Sequence, residues 1–271
     1  MSSGLRVVTW NCRRASTTSH LWDYLLELNP DIALLQDFGS IPKRVLDAYA
    51  HAANRRSPAA DRAPRHMSGV LLRAGTALDL DLPAPAEWVA QELDTWAEYF
   101  TAKVVTLPSG AILRVMSVYS PAFPVDRARM ELVDTAGIQL TQNRDVWGTE
   151  LMWATLKAMD VGADDPFLVG GDLNSSESLD WSASKPRGNL EVMERMNALG
   201  FRDCLRAFTG QLTPTFRSPR GELIHQLDHL YATAPLSGSL TQCRLGSAER
   251  VLQSNPSLSD HLPIVADFDC A

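Results

Sequence analysis

Three short polar clusters sit at the borders of apolar runs: Gly171-Asp172-Leu173-Asn174, Gln226-Leu227-Asp228-His229 and Ser259-Asp260-His261-Leu262-Pro263. Phe167-Leu168-Val169 leads into the first, Leu230-Tyr231 follows the second, and Ile264-Val265-Ala266 follows the third. Apolar runs of this length, rich in branched residues and bounded by Gly, Pro or Ser, read as buried strands. Asp, Asn and His at strand ends, gathered by a folded sheet, would make an oxygen-rich site for a hard divalent cation with a histidine beside it. Thr9-Trp10-Asn11 and Leu34-Leu35-Gln36-Asp37 add two more such groups near the N-terminus. A single Asp after a strand is most often a turn residue or a helix cap, so the weight lies on the set and its order.

The elements that must position these residues are legible around them. Leu5 to Trp10 reads as a first strand. Leu21, Trp22, Leu25, Leu26 and Leu28 make a helical stripe that Asn29-Pro30 stops. Asp31 to Gln36 is a second buried strand, so the chain opens strand, helix, strand, as layered α/β folds do. Residues 54–68 read as a basic, Pro-containing loop that includes Arg55, Arg56, Arg62 and Arg65. Gly69 to Leu72, Phe100 to Leu107 and Ala111 to Tyr119 follow as strands, the last two joined through Pro108-Ser109-Gly110 as an antiparallel hairpin. Residues 126–159 look mostly helical, with breaks near Gly137 and Gly148, and Leu190 to Leu199 is a helix capped by Gly200. No linker, repeat or low-complexity segment divides the chain, and one mixed α/β domain over 1–271 is expected.

Composition sets the outer limits. Apolar residues at 45% and charged residues at 21% of 271 are ordinary for a soluble globular protein. A formal charge of -7 gives no global electrostatic pull toward nucleic acid, although a local basic strip or a bound cation can offset carboxylates at a site. Cys12, Cys204, Cys243 and Cys270 show no C-x-x-C spacing, so free thiols are expected. No 18-residue apolar stretch marks a membrane span, and the N-terminus lacks the form of a secretion signal. Cytoplasmic residence and a monomer are the default expectations.

Taken in order, Thr9-Trp10-Asn11, Leu34-Leu35-Gln36-Asp37, Val118-Tyr119-Ser120-Pro121, Gly171-Asp172-Leu173-Asn174, Gln226-Leu227-Asp228-His229 and Ser259-Asp260-His261 resemble the endonuclease/exonuclease/phosphatase superfamily. The resemblance implies a four-layer α/β/β/α sandwich of two mixed sheets and an attack of water on a phosphate ester assisted by Mg2+ or Mn2+. It implies Asn11, Asp37 and Asp260 as metal ligands, and Asp172 as the carboxylate that orients or deprotonates the water. Asn174 resembles the amide that holds the phosphate, His261 the donor to a phosphate oxygen, and Asp228 the carboxylate partner of that histidine. Tyr119 resembles a residue on the phosphate or leaving-group side. Two departures from the pattern are visible. The family's second motif usually ends in Glu where Asp37 stands, one methylene shorter, and many members carry Asn at the position of Ser117.

The branch follows from smaller signals. Leu223 to His229 lacks the longer motif of inositol polyphosphate 5-phosphatases. Phe201-Arg202-Asp203-Cys204-Leu205-Arg206, followed by Thr213-Pro214-Thr215-Phe216, resembles exonuclease III-like nucleases. Phe216 is therefore expected to stack on a base or a bare sugar, and Arg55 and Arg56, with Arg13, Arg14, Arg62 and Arg65, to grip flanking phosphates. The expectation is a metal-dependent phosphodiesterase acting on nucleic acid, DNA before RNA. The alternatives are a phosphatase or phosphodiesterase on a small-molecule or lipid-headgroup phosphate, and a non-catalytic binding module. An acidic alternation at Leu78 to Leu82 speaks against a membrane substrate, and the intact Asp172 and His261 against a dead module.

Overall fold

The computed structural model describes residues 4–53, 67–162, 164–181 and 187–269. Its strands are β1 (Gly4–Ala15), β2 (Ile32–Phe38), β3 (Ala50–Ala53), β4 (Met67–Leu72), β5 (Thr76–Asp79), β6 (Phe100–Thr106) and β7 (Ile112–Tyr119). They continue with β8 (Phe167–Asp172), β9 (Arg202–Asp203), β10 (Phe216–Arg217), β11 (Leu223–His225), β12 (Asp228–Ala232), β13 (Leu240–Leu245) and β14 (Ile264–Asp269). The helices are α1 (Leu21–Leu28), α2 (Lys43–Leu46), α3 (Glu87–Thr95), α4 (Arg127–Met130) and α5 (Gly148–Ala158). After them come α6 (Glu177–Trp181), α7 (Asn189–Ala198), α8 (Cys204–Thr209), α9 (Ala234–Ser237) and α10 (Ala248–Leu252).

Two six-stranded sheets carry the structure, in the orders β13-β14-β1-β2-β4-β3 and β5-β6-β7-β8-β12-β9. Each is mixed: β1 runs parallel to β2 and β7 parallel to β8, while their other neighbours are antiparallel. Side chains alternate across a strand, so each sheet has two faces to cover. Val7, Ile32, Leu34 and Ile264 of the first sheet meet Val115, Leu168 and Leu230 of the second in one apolar cluster between the sheets. The opposite face of the first sheet, with Val8, Ala33, Leu35 and Val265, packs on Leu21, Trp22 and Leu25 of α1 and Val251 of α10. The opposite face of the second, with Met116, Val118, Val169 and Tyr231, packs on α3, α5 and α7 through Val89, Leu151 and Met196. The result is an α/β/β/α sandwich.

Local sequence explains most boundaries. Helix α1 ends where Asn29 turns left-handed (φ 53) and donates its N–H to the Leu25 carbonyl. Gly110 (φ 88) closes the β6–β7 hairpin, its N–H donating to the Leu107 carbonyl at 2.9 Å. Gly200 (φ 85) ends α7 one residue before Phe201 enters the core. The stretch read as mostly helical, 126–159, is helical only in α4 and α5. Between them, Asp134 Oδ1 accepts from the Ala136 N–H, Gly137 turns left-handed (φ 75), and Leu132 stays 84% exposed. Asp and Asn side chains that bond nearby backbone compete with a helix, and the segment buries Leu140 and Val146 against the core without forming one. Among the described residues, no helix is long and apolar enough to cross a membrane.

Strand β8 lies so close to β7 that a Cβ on Gly171 would stand 1.8 Å from the Val118 carbonyl oxygen. Backbone cannot rotate away as a side chain can. Gly171→Ala is therefore expected to destabilise the fold by about 3 kcal/mol or more, the upper range for overpacking, read as a loss of midpoint in urea unfolding. An unchanged midpoint would show that the two strands part without cost.

Candidate active site

The same alternation that builds the core decides which polar side chains meet. Leu168 and Leu230 face the other sheet, so Asp172 and Asp228, at even spacing along β8 and β12, face it too. Val7 places Asn11 on that inner face, and Val115 places Tyr119 there. Register completes the arrangement: Asp172 pairs with Asp228 on one side and Tyr119 on the other. Asn11 reaches across from the first sheet, its Nδ2 donating to Asp172 Oδ2 at 2.8 Å.

Asp172 is the hub. Only 1% exposed, it accepts from the Asn174 N–H at Oδ1 (2.9 Å) and from Asn174 Nδ2 at Oδ2 (3.1 Å), besides Asn11. His261 stands opposite, with Nε2 3.9 Å from Asp172 Oδ2, too far for a direct hydrogen bond. Its Nδ1 lies 2.8 Å from Asp228 Oδ2, which also accepts from Thr215 Oγ1 at 2.7 Å. That hydroxyl accepts in turn from the backbone N–H groups of Leu227 and Asp228, both at 3.1 Å. The His261 loop is fixed by Trp10 Nε1 donating to the His261 carbonyl (2.8 Å) and Ser259 Oγ donating to the Asn11 carbonyl (2.8 Å).

Burial and charge set the protonation. Burial pushes the Asp172 carboxyl up, Asp228 adds to it, and the donors and His261 pull back, leaving it at about 7. Burial works against a charged His261, but Asp228 and Asp172 outweigh it and raise the imidazole to about 9. At neutral pH the ring is an imidazolium: Nδ1–H donates to Asp228 and Nε2–H faces the cleft. Tyr119 is pushed well above an ordinary phenol by burial, then by Asp172 and Asp37.

The strand ends that carry these residues are irregular. Pairing of β1 with β2 shifts register between Asn11 and Ala15, and that of β2 with β4 between Leu35 and Phe38. Arg13 (φ 46), Arg14 (φ 57), Asp37 (φ 48) and Asn174 (φ 46) are all left-handed although none is glycine. Bulges re-aim side chains beside active sites, and backbone strain gathers there. Gln36 keeps the inward direction, donating to Ser117 Oγ (2.9 Å) and the Leu34 carbonyl (2.9 Å). Strict alternation would turn Asp37 away from the gap between the sheets. The left-handed turn instead leaves its carboxylate near enough to Tyr119, Tyr99 and Cys12 to raise all three. Ser117, where many relatives of the motif carry Asn, still ties the sheets together by donating to the Leu35 carbonyl at 3.0 Å.

The remaining expected residues fall into three groups. Asp260, 31% exposed in its side chain, lies 3.5 Å from Arg13 Nε and helps hold the charge on His261. The Phe216 ring packs 4.8 Å from that of His261. Arg55, Arg56, Arg62 and Arg65 lie outside the described residues. Thr215, although it lies in the Thr213-Pro214-Thr215-Phe216 segment, had no role assigned to it; the fold brings its hydroxyl to Asp228, 13 residues on. His229 had none either, although it adjoins Asp228 in the motif.

The side chains gathered here are mostly oxygen donors, the type a hard divalent cation takes. Of the three expected ligands, Asn11 Oδ1 accepts from the Arg13 N–H at 2.9 Å and Asp260 lies 3.5 Å from Arg13 Nε, while His261 Nδ1 is engaged by Asp228. Asp172, Asp228 and His261 have ligand atoms within 4.8 Å of one another, and Asp228 Oδ1 is buried with no hydrogen-bond partner. Burial first, and neighbouring carboxylates second, raise both Asp172 and Tyr119, and a cation bound beside carboxylates would favour their charged form.

The family model for the Endonuclease/Exonuclease/phosphatase family matches residues 8–261. Among solved structures, an AP endonuclease from Archaeoglobus fulgidus is similar, with a TM-score of 0.67, 20% identity, and 98% of this chain and 100% of that chain covered. The 3′ phosphatase NExo from Neisseria, bound to a product DNA hairpin, gives 0.66 at 17% identity, covering 98% and 100%. AP endonuclease LMAP from Leishmania major gives 0.66 at 15% identity, covering 99% and 88%. No curated protein sequence matches.

Asp228→Asn removes the largest of the charges that raise His261 while burial remains. The His261 titration, followed by imidazole proton resonances in metal-free protein, is expected to move down from about 9. The sign for stability follows: a raised folded pKa means that the ion pair contributes fully below an ordinary imidazole pKa of about 6.5 and is lost as pH rises through about 9. Wild-type stability should lose this contribution over that window, and Asp228→Asn should flatten the dependence. An unmoved His261 titration would remove Asp228 from its control.

Proposed function

The chain belongs to the endonuclease/exonuclease/phosphatase family, hydrolases of phosphoester bonds, and we propose that it is a metal-dependent phosphodiesterase acting on nucleic acid, DNA before RNA. The observation that carries the reading is the opposition of Asp172 and His261 across 3.9 Å, each held from behind by other side chains. That gap is lined by a carboxylate on one side and an imidazolium N–H on the other, the two groups a water attack on a phosphate diester requires.

Asn11, Asp37 and Asp260 would hold a divalent cation, Mg2+ or Mn2+, which when bound would supply charge neutralisation at a phosphoryl oxygen. Asp172, poised at about 7, orients the attacking water and takes its proton. Asn174 holds the phosphate once its amide exchanges a partner: both of its N–H groups are engaged here, by the Ser120 carbonyl at 2.8 Å and by Asp172 at 3.1 Å, and the phosphate takes the place of one of them. His261 donates Nε2–H to a phosphate oxygen, with Asp228 keeping the proton on Nδ1 and Thr215 keeping Asp228 in line. Tyr119, held protonated, offers a phenol O–H on the leaving-group side. Phe216, tilted at 46° against the His261 ring, offers a face to a base or bare sugar.

DNA is favoured because the similar structures are AP endonucleases and a phosphatase bound to a DNA hairpin. The net charge of -7 sustains a second reading, a small phosphate ester gripped without a basic strip. We place the enzyme in the cytoplasm, where the buried thiols of Cys12, Cys204 and Cys243 stay reduced.

Hydrolysis should require Mg2+ or Mn2+ and stop in EDTA. Asp172→Asn and His261→Ala should each lower kcat by roughly 10²–10⁴-fold in protein that still folds. Turnover in chelator, or a folded variant with normal kcat, overturns the mechanism. A panel of abasic duplex, plasmid, single strands, RNA and small esters identifies the substrate. If nucleic acid is the substrate, affinity should fall by roughly one power of salt per phosphate neutralised. Replacing Arg55 and Arg56 with Ala should then flatten that slope, whereas Phe216→Ala should weaken binding at constant slope. Salt-independent activity on a small ester alone favours the second reading.

A further inference from the structure

His229 follows Asp228 on β12, so the alternation that sends Asp228 between the sheets sends His229 to the opposite face, beneath the helical layer. There its ring stacks on Tyr231 with centroids 5.4 Å apart. Its Nδ1 lies 2.7 Å from Asp203 Oδ2, and its Nε2 lies 3.0 Å from the Ser175 carbonyl oxygen. Both partners are acceptors, so the ring serves both only with a proton on each nitrogen. Burial works against that charge, but Asp203, the Ser175 carbonyl and Asp228 outweigh it and raise the pKa above the ordinary value. Asp203 is itself fixed, since Gln226 Nε2 donates to the same oxygen at 2.9 Å. A cavity of about 200 Å³ borders the ring, lined also by Arg202 and the ion-paired Arg206 and Glu177, so packing alone does not hold it.

Ser175 directly follows Asn174, the left-handed residue whose N–H and amide both bond Asp172. The turn between β8 and α6 is thus tied on the cleft side by Asp172 and Ser120, and on the outer side by His229. Left-handed backbone in a non-glycine residue persists only where its surroundings over-determine it.

We propose that His229 is a positioning residue for Asn174: by gripping the Ser175 carbonyl from the outer face of β12, it holds the turn whose Asn174 N–H and amide both bond Asp172. The kinetic arm of the test rests on the phosphodiesterase reading. The structural arm does not.

His229→Phe keeps the ring on Tyr231 and removes both donors; His229→Gln keeps one N–H for the Ser175 carbonyl. With an abasic-site duplex and bis(p-nitrophenyl) phosphate as substrates, His229→Phe should lower kcat by about 10- to 10²-fold, the scale of a misplaced contact group, and His229→Gln by less. In an Asn174→Ala background neither change should cost more, because residues acting as one unit are not additive. Hydrogen exchange should speed up at Asn174 and Ser175 in His229→Phe while β8 stays protected. Additive losses, or a folded His229→Phe protein with full kcat, overturn the proposal. If His229→Phe fails to fold, His229→Asn, whose amide reaches the place of Nδ1 and not that of Nε2, takes its part in the kinetic cycle and the exchange measurement, and unchanged exchange at Asn174 in that variant also overturns the proposal. Wild-type protein inert toward both substrates would overturn the phosphodiesterase reading, and the exchange result would still decide the role of His229.

Discussion

A carboxylate taken out of water must be surrounded by donors or give up its charge, and one end of the two-sheet sandwich is organised around that demand at Asp172. Its donors come from three places: Asn11 on β1 of the first sheet, and the backbone and side chain of Asn174 after β8. Neither sheet alone supplies them. The contact between Asn11 and Asp172, 161 residues apart in sequence, therefore does two things at once: it satisfies a buried charge and fixes how the ends of the sheets face each other.

The donors satisfy Asp172 only in part. Its carboxyl remains at about 7, while two neighbouring carboxylates drive His261 up to about 9. A base held near neutrality and an acid kept charged are what proton transfer at a phosphate ester needs, and both follow from one arrangement of like charges in a dry cleft. A cation bound beside these carboxylates would favour their charged form. Stability and chemistry pull against each other here, as they do wherever titratable groups are buried for a task rather than for packing.

Backbone geometry carries a further share of that cost. Four non-glycine residues at the site, Arg13, Arg14, Asp37 and Asn174, adopt left-handed conformations. Each is held by something specific in the surrounding fold; the Arg13 N–H, for example, donates to Asn11 Oδ1 at 2.9 Å. Beneath them, Gln36, Ser117, Ser68 and Thr101 form a chain of buried hydrogen bonds that stiffens the floor between the sheets. The mobile-looking features of the sequence, short polar turns after strands, are thus among the most constrained parts of the molecule.

The sequence by itself determined which residues could do chemistry and what kind. Asp172, Asn174, Asp228 and His261 were legible because short apolar runs, Gly and Pro mark strand ends, and helix α1 was legible because its stripe has one period and a clear stop at Asn29. Residues 131–147 were misread as largely helical because spacing alone does not reveal that Asp134 bonds its own turn and that Leu132 finds no core. Thr215 and His229 were invisible as supports, since their partners Asp228 and Ser175 are defined by pairing of β12 with β8 and not by any local pattern. Only the tertiary structure decided that Asn11 would meet Asp172 across the two sheets, 161 residues apart in sequence. Pairing between distant strands sets the register that brings Asp228 and Tyr119 to either side of Asp172, and no local pattern encodes it.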